Sequence, residues 1–163
     1  MTDDLPDTAK PSLPGVPHGD RPGPSTVRLL DDQGIFDLLR SARRVAVVGA
    51  SSNPARPSFG VFRTLISAGY ECVPVNPNES AVLGIPAVGT LAEAALMGQI
   101  DIVDVFRRSE LTEEIACDAV AIGAGALWLQ LGVINWESAR IAAEGGLAVV
   151  MDRCPAIELR RMG

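Results

Sequence analysis

From Arg44 onward, short apolar runs alternate with segments whose apolar residues recur at helical spacing. The runs Val45–Gly49, Cys72–Val75, Ile102–Phe106, Ala126–Leu131 and Leu147–Met151 predict strands. Leu83–Val88 predicts a further short strand, which Pro86 confines to a sheet edge because proline lacks the ladder N–H. Asp31 and Asp32 open an amphipathic helix carrying Ile35, Phe36, Leu38 and Leu39. Further helices are predicted over Phe59–Ala68, closed by Gly69, and over Leu91–Met97, Glu110–Ile122 and Trp136–Glu144. A terminal helix starts at Cys154-Pro155, with proline at a favoured first position.

Strands that are apolar on both faces and separated by helices predict a parallel sheet covered on both sides. The fold class is therefore α/β: a Rossmann-like three-layer domain with a mostly parallel sheet of five to six strands, in the order 3-2-1-4-5-6. Residues 1–26 hold six of the twelve prolines and can bury almost nothing, which predicts a disordered tail before a domain over residues 27–163.

Right-handed crossovers place every strand-to-helix loop on one edge of such a sheet, and ligands bind there. The first of these loops is distinctive. The run Val45-Ala46-Val47-Val48 stops at Gly49, and Ala50, Ser51, Ser52, Asn53 and Pro54 follow before a helix. A tight turn feeding a helix N-terminus offers backbone N–H groups and a positive dipole end, a seat for phosphate. Ser51 and Ser52 could instead cap that helix, with the same geometry.

The loop is not the dinucleotide fingerprint: Gly49 and Gly60 are present, but the second and third glycines of that pattern are not. The second strand ends in Val75-Asn76-Pro77, where a nicotinamide dinucleotide wants a carboxylate for its ribose 2′-hydroxyl. A neutral Asn76 tolerates a ribose bearing phosphate. This weighs against NAD and leaves phosphorylated adenosine ligands open.

Charge and inventory narrow the chemistry. The net charge is −6 and the pI about 4.7, which excludes general attraction to nucleic acid or an anionic membrane. An anion must be held locally, and Arg56, Arg107 and Arg108 are the candidate cations, Arg107 first because it directly follows an apolar strand. Cys72, Cys117 and Cys154 form no ligand cluster and read as reduced thiols of a cytoplasmic protein, Cys72 and Cys117 as small core residues. Cys154, beside Arg153 at a helix start, is the candidate reactive thiol, with a half-buried cap residue as its plainer reading. The one histidine, His18, falls in the tail, so neither a histidine metal site nor a Ser-His-Asp triad is available. Trp128 reads as core, Phe106 as a strand-end residue able to touch a ligand, and Asp104 as a structural carboxylate. Glu110, Glu113 and Glu114 complement a helix dipole.

Across residues 30–160 the chain resembles the small CoA-binding-domain proteins, related to the N-terminal CoA-binding domain of succinyl-CoA synthetase α subunits. The resemblance rests on Ala46-Val47-Val48-Gly49-Ala50-Ser51, Asn53-Pro54-Ala55-Arg56-Pro57-Ser58 and Pro74-Val75-Asn76-Pro77. It continues through Asp104-Val105-Phe106-Arg107-Arg108, Trp128-Leu129-Gln130-Leu131-Gly132 and Val150-Met151-Asp152-Arg153-Cys154. It implies coenzyme A or an acyl-CoA as ligand. Gly49, Ala50, Ser51 and Ser52 would meet the phosphates, with Arg56 nearby, and Asn76 and Pro77 would line the adenosine side. Val105, Phe106 and Arg107 would border the nucleotide or the pantetheine channel. Gln130, Asp152 and Arg153 would line the floor, with the pantetheine arm running toward Asp152–Cys154. The synthetase's phosphohistidine chemistry does not carry over, because the core holds no histidine. The expectation is a binding or regulatory protein without catalytic or metal residues. An NAD(P)-dependent oxidoreductase of the same fold and a ligand-free interaction module are the alternatives.

Overall fold

β1 (Arg44–Val48) forms where four consecutive apolar residues can be buried on both faces of a sheet. Val45 and Val47 pack into one hydrophobic cluster, and Ala46 and Val48 into another on the opposite face. The computed structural model describes residues 27–163; the tail read at residues 1–26, with His18, lies outside the described residues. β2 (Glu71–Val75), β5 (Ile102–Val105), β6 (Ala126–Leu129) and β7 (Ala148–Val150) join β1 in a parallel sheet of order β2-β1-β5-β6-β7. On one face lie α1 (Asp32–Ser41), α2 (Pro57–Ser67) and α6 (Pro155–Arg161); on the other, α3 (Leu91–Ala95), α4 (Thr112–Ala121) and α5 (Trp136–Glu144). This is the expected α/β Rossmann-like three-layer fold.

The two helical layers pack differently because their side chains differ in size. α1 and α2 contribute Ile35, Leu39, Phe62 and Leu65 around Trp128, which is fully buried and donates its indole N–H to the Arg153 carbonyl at 2.8 Å. α4 and α5 meet through Ala116, Ala119, Ala139 and Ala142, small enough for close approach. A buried hydrogen bond between the Thr112 and Ser138 hydroxyls, 2.7 Å, ties them together.

The expected sixth strand is corrected. Leu83–Val88 does not extend the sheet edge but folds into a hairpin of β3 (Ala81–Val82) and β4 (Ile85–Pro86). Leu83 and Gly84, at φ 49° and 77°, form its two-residue turn, the positive-φ conformation that suits a tight hairpin. Only Val88 still reaches the sheet, as an isolated parallel bridge to Val75. The sheet order expected from six strands therefore loses its outermost member and keeps the rest.

Candidate functional site at the carboxyl edge of the sheet

Five parallel strands end on one edge, and the chain leaves β1 toward β2 on one side while β5 lies on the other. The switch point is thus at Gly49, beside Phe106 and Arg107. Gly49 has φ +84°, and a Cβ built there would lie 2.3 Å from the Phe106 carbonyl oxygen. Only glycine allows β1 and β5 to end this close together.

The loop beyond Gly49 is held by its own polar side chains. The Ser51 hydroxyl accepts from the Asn53 N–H at 3.1 Å, and the Asn53 carbonyl Oδ1 from the Ala55 N–H at 3.0 Å. Ser51 and Ser52 do not cap α2. The N-cap is Arg56, in extended conformation with no side-chain cap, followed by Pro57 and no acidic residue in the first turn. By contrast α1, α3 and α5 are capped by Asp31, Thr90 and Asn135, and each has an acidic residue in its first turn. The positive end of α2 thus carries neither a capping side chain nor a first-turn carboxylate.

That end opens on a cavity of about 470 Å³ lined by Gly49, Ser51, Arg56, Pro57 and Ser58 on the loop side. Phe106, Arg107, Arg108, Gln130, Leu131 and Val133 close it on the side of β5 and β6. A second cavity of about 250 Å³ lies across the switch point, lined among others by Pro77, Gly89 and Thr90. Gly49, Asn76 and Arg107 line both. Among the described residues, Arg56, Arg107 and Arg108 pair with no carboxylate. Gln130 is 7% exposed, and its Oε1 has no donor within the protein.

The structure therefore brings Gly49, Ser51, Arg56, Asn76, Pro77, Phe106, Arg107 and Gln130 together and leaves the other sequence candidates outside. Ala50, just past the end of β1, and Val105, at the end of β5, are fully buried in the two core clusters. Ser52 turns outward, its N–H donating to Glu79. Asp152, at φ 58°, accepts the Gly132 N–H at 2.7 Å and so ties the ends of β6 and β7. Arg153 points to α1 and α6, bonding Asp32 at 2.9 Å and the buried Glu158 at 3.3 Å. Cys154 is buried at the N-cap of α6.

Two further expectations are corrected. Cys117 is exposed, because the buried stripe of α4 runs through Thr112, Ala116 and Ala119 and leaves Cys117 on the outer face. The adenosine side is neutral only at Asn76, for α4 brings Glu114 and Asp118 to the second cavity. Asn76 itself is engaged internally, its Nδ2 donating to the Ala50 carbonyl at 2.9 Å. Sequence reading did not single out Val133 as a residue of the site.

The cysteines give a direct check on this packing. Cys72 is buried, and burial first, then the charge of Asp104, pushes its thiol up to about 12. Iodoacetamide at pH 8 is expected to modify Cys117 first, with Cys72 and Cys154 protected until the protein unfolds, as peptide mapping reads. Faster modification of Cys154 than of Cys117 overturns this and restores the reactive-thiol reading.

Comparison with known proteins now bears on these residues. Residues 43–160 match the model of the CoA binding domain family, and the chain belongs to that family. The uncharacterized protein YneT of Bacillus subtilis is 42% identical over 120 residues, covering 74% of this chain and 87% of its own. A hypothetical protein from Pyrococcus horikoshii superposes with a TM-score of 0.78 at 34% identity, over 82% of this chain and 94% of its own. The dinucleotide-forming acetyl-coenzyme A synthetase 1 of Candidatus Korarchaeum cryptofilum, at 20% identity, shares the fold, with a TM-score of 0.61 over 71% of this chain and 28% of its own. Family membership supports binding of coenzyme A in general. Among the described residues no helix is long and apolar enough to cross a membrane.

Proposed function

We propose that this member of the CoA binding domain family holds coenzyme A or an acyl-CoA across the switch point, as a binding or regulatory protein rather than a catalyst. One observation carries the reading. In a chain of net charge −6, Arg56, Arg107 and Arg108 converge on one cavity and pair with no acid among the described residues. Unpaired guanidinium groups beside an uncapped helix N-terminus are a site for phosphate. The diphosphate rests on Gly49, Ser51 and the start of α2. The adenosine lies between Asn76, Pro77, Gly89 and Thr90, with its phosphate-bearing ribose turned from Glu114 and Asp118 on α4.

The pantetheine arm runs over Phe106 and Gln130 toward Leu131 and Val133, not toward Asp152–Cys154, because neither Asp152 nor Cys154 lines this cavity. A buried amide oxygen without a donor costs roughly 1–3 kcal/mol. The arm's secondary amide N–H groups would satisfy Gln130 Oε1, whereas phosphates, which only accept, would not. Leu131 and Val133 offer apolar surface for an acyl group.

Calorimetric titration with coenzyme A, acetyl-CoA, NAD and NADP tests the reading. Coenzyme A or its acetyl ester is expected to bind, and Arg107→Ala to weaken it by roughly tenfold to a hundredfold, the loss of about 1.5–3 kcal/mol from a charge-assisted contact. Far-UV circular dichroism should be unchanged, because the Arg107 side chain is exposed. Binding of NAD alone selects the oxidoreductase alternative, and silence with all four selects the ligand-free module.

A further inference from the structure

The two cavities that meet at Gly49 carry opposite charge. The first is lined by Arg56, Arg107 and Arg108 and by no carboxylate. The second shares Arg107 with it and is lined by Glu114 and Asp118 of α4. Those two are four residues apart, so they lie on one face of the helix, where like charges cost helix stability. Both are exposed, and among the described residues neither pairs with an arginine or lysine. A third carboxylate engages the wall of the second cavity: Glu93 Oε2 accepts the Gly89 N–H at 3.3 Å and takes up a donor that an anion could otherwise use.

Coenzyme A is anionic at two places, the diphosphate and the phosphate on the adenosine ribose. The first cavity suits the diphosphate. The second offers the ribose two carboxylates against one guanidinium already shared with the diphosphate, so a phosphate placed there is repelled. A ribose with free hydroxyls meets no such repulsion, and its hydroxyls can donate to Glu114 or Asp118. Resting on the coenzyme reading above, we infer that Glu114 and Asp118 are specificity-determining residues that select against a phosphate on the ribose. The preferred ligand is then a pantetheine-bearing adenosine 5′-diphosphate with free ribose hydroxyls, 3′-dephospho-coenzyme A. Coenzyme A itself binds with its ribose phosphate turned to solvent, and more weakly. Because both carboxylates are exposed, the discrimination is moderate in size and weakens with salt.

The test is calorimetric titration of the full chain with coenzyme A and with 3′-dephospho-coenzyme A. The same titrations are run on a Glu114→Gln, Asp118→Asn double variant and on Asp37→Asn, which removes a charge from the exposed side of α1. The wild type is expected to bind the dephospho form about threefold to tenfold more tightly, and the gap to close at about 1 M salt. In the double variant coenzyme A should gain by about the same factor and the dephospho form should gain nothing, because Gln and Asn keep an acceptor oxygen and lose only the charge. Asp37→Asn should leave the ratio of the two affinities unchanged. The wild-type ratio and its salt dependence answer the question even if the double variant does not fold. Coenzyme A binding the wild type as tightly as the dephospho form, or more tightly, overturns the inference and leaves the coenzyme reading standing. An equal gain for both ligands in the double variant overturns it too, as a general effect of net charge. Failure of both ligands to bind the wild type overturns the coenzyme reading and this inference with it.

Discussion

Gly49→Ala is expected to lower the melting temperature by roughly 5–15 °C and to abolish measurable ligand binding even where the variant remains folded. Two costs add. Alanine at φ +84° pays about 1–2 kcal/mol for the left-handed conformation. Its Cβ would also lie 2.3 Å from the Phe106 carbonyl oxygen, a backbone atom that cannot swing aside like a side chain. The ends of β1 and β5 must then separate, and Val47–Asp104 and Val48–Val105 are the register pairs that loosen. For a chain of this size about 2–4 °C of melting temperature is lost per kcal/mol. Binding should suffer more than stability, because Arg107 and the Ser51 loop flank the hinge that moves. Gly60→Ala is the matched comparison: Gly60 lies inside α2 at an ordinary φ, and an added methyl would meet nothing within 4 Å. There alanine is expected to stabilise by roughly 0.5–1 kcal/mol. Unchanged thermal stability in Gly49→Ala would remove the reason for reading Gly49 as the pivot of the site.

What could be read from the chain and what could not divide along a physical line. β1, β2, β5, β6 and β7 were legible because each is a short, mainly apolar run buried on both faces, a pattern that needs no partner to be recognised. Gly49, Asn76, Phe106 and Gln130 were legible as one surface because parallel topology fixes where strand ends go. The hairpin at residues 81–86 was hidden, since Leu83 adopts the positive φ usually signalled by Gly or Asn and so looked like strand interior. Cys117 was misread because α4 is built of small residues whose helical phase barely registers in hydropathy. Arg153 looked like a ligand contact because its partner Asp32 is 121 residues away, and ion pairs at that separation leave no local trace.

A buried carboxyl supplies the other large effect. Asp104 on β5 sits between Val47 and Trp128 in the ladder, is fully buried, and neither oxygen has a hydrogen-bond partner in the protein. Burial drives its pKa well above the ordinary value, and the nearby Val105 amide opposes this only weakly. The sign follows from proton linkage. Unfolded, Asp104 ionises at the usual carboxyl pKa; folded, it keeps its proton to a higher pH. Between those two values folding must take up a proton, so its contribution is undiminished below the unfolded pKa and is lost as pH rises toward the folded one. The loss runs at about 1.4 kcal/mol per pH unit across that window and stops above it. Asp104→Asn keeps the shape and removes the proton, so denaturant melts of the two proteins should nearly coincide at pH 4 and diverge as pH rises, the variant becoming the more stable. A difference between the two melts that stays constant from pH 4 to pH 8 would mean that Asp104 is ionised in the folded protein. The core would then have to hold a charge that nothing in the protein neutralises, at a cost that hydrophobic burial around Trp128 could not offset.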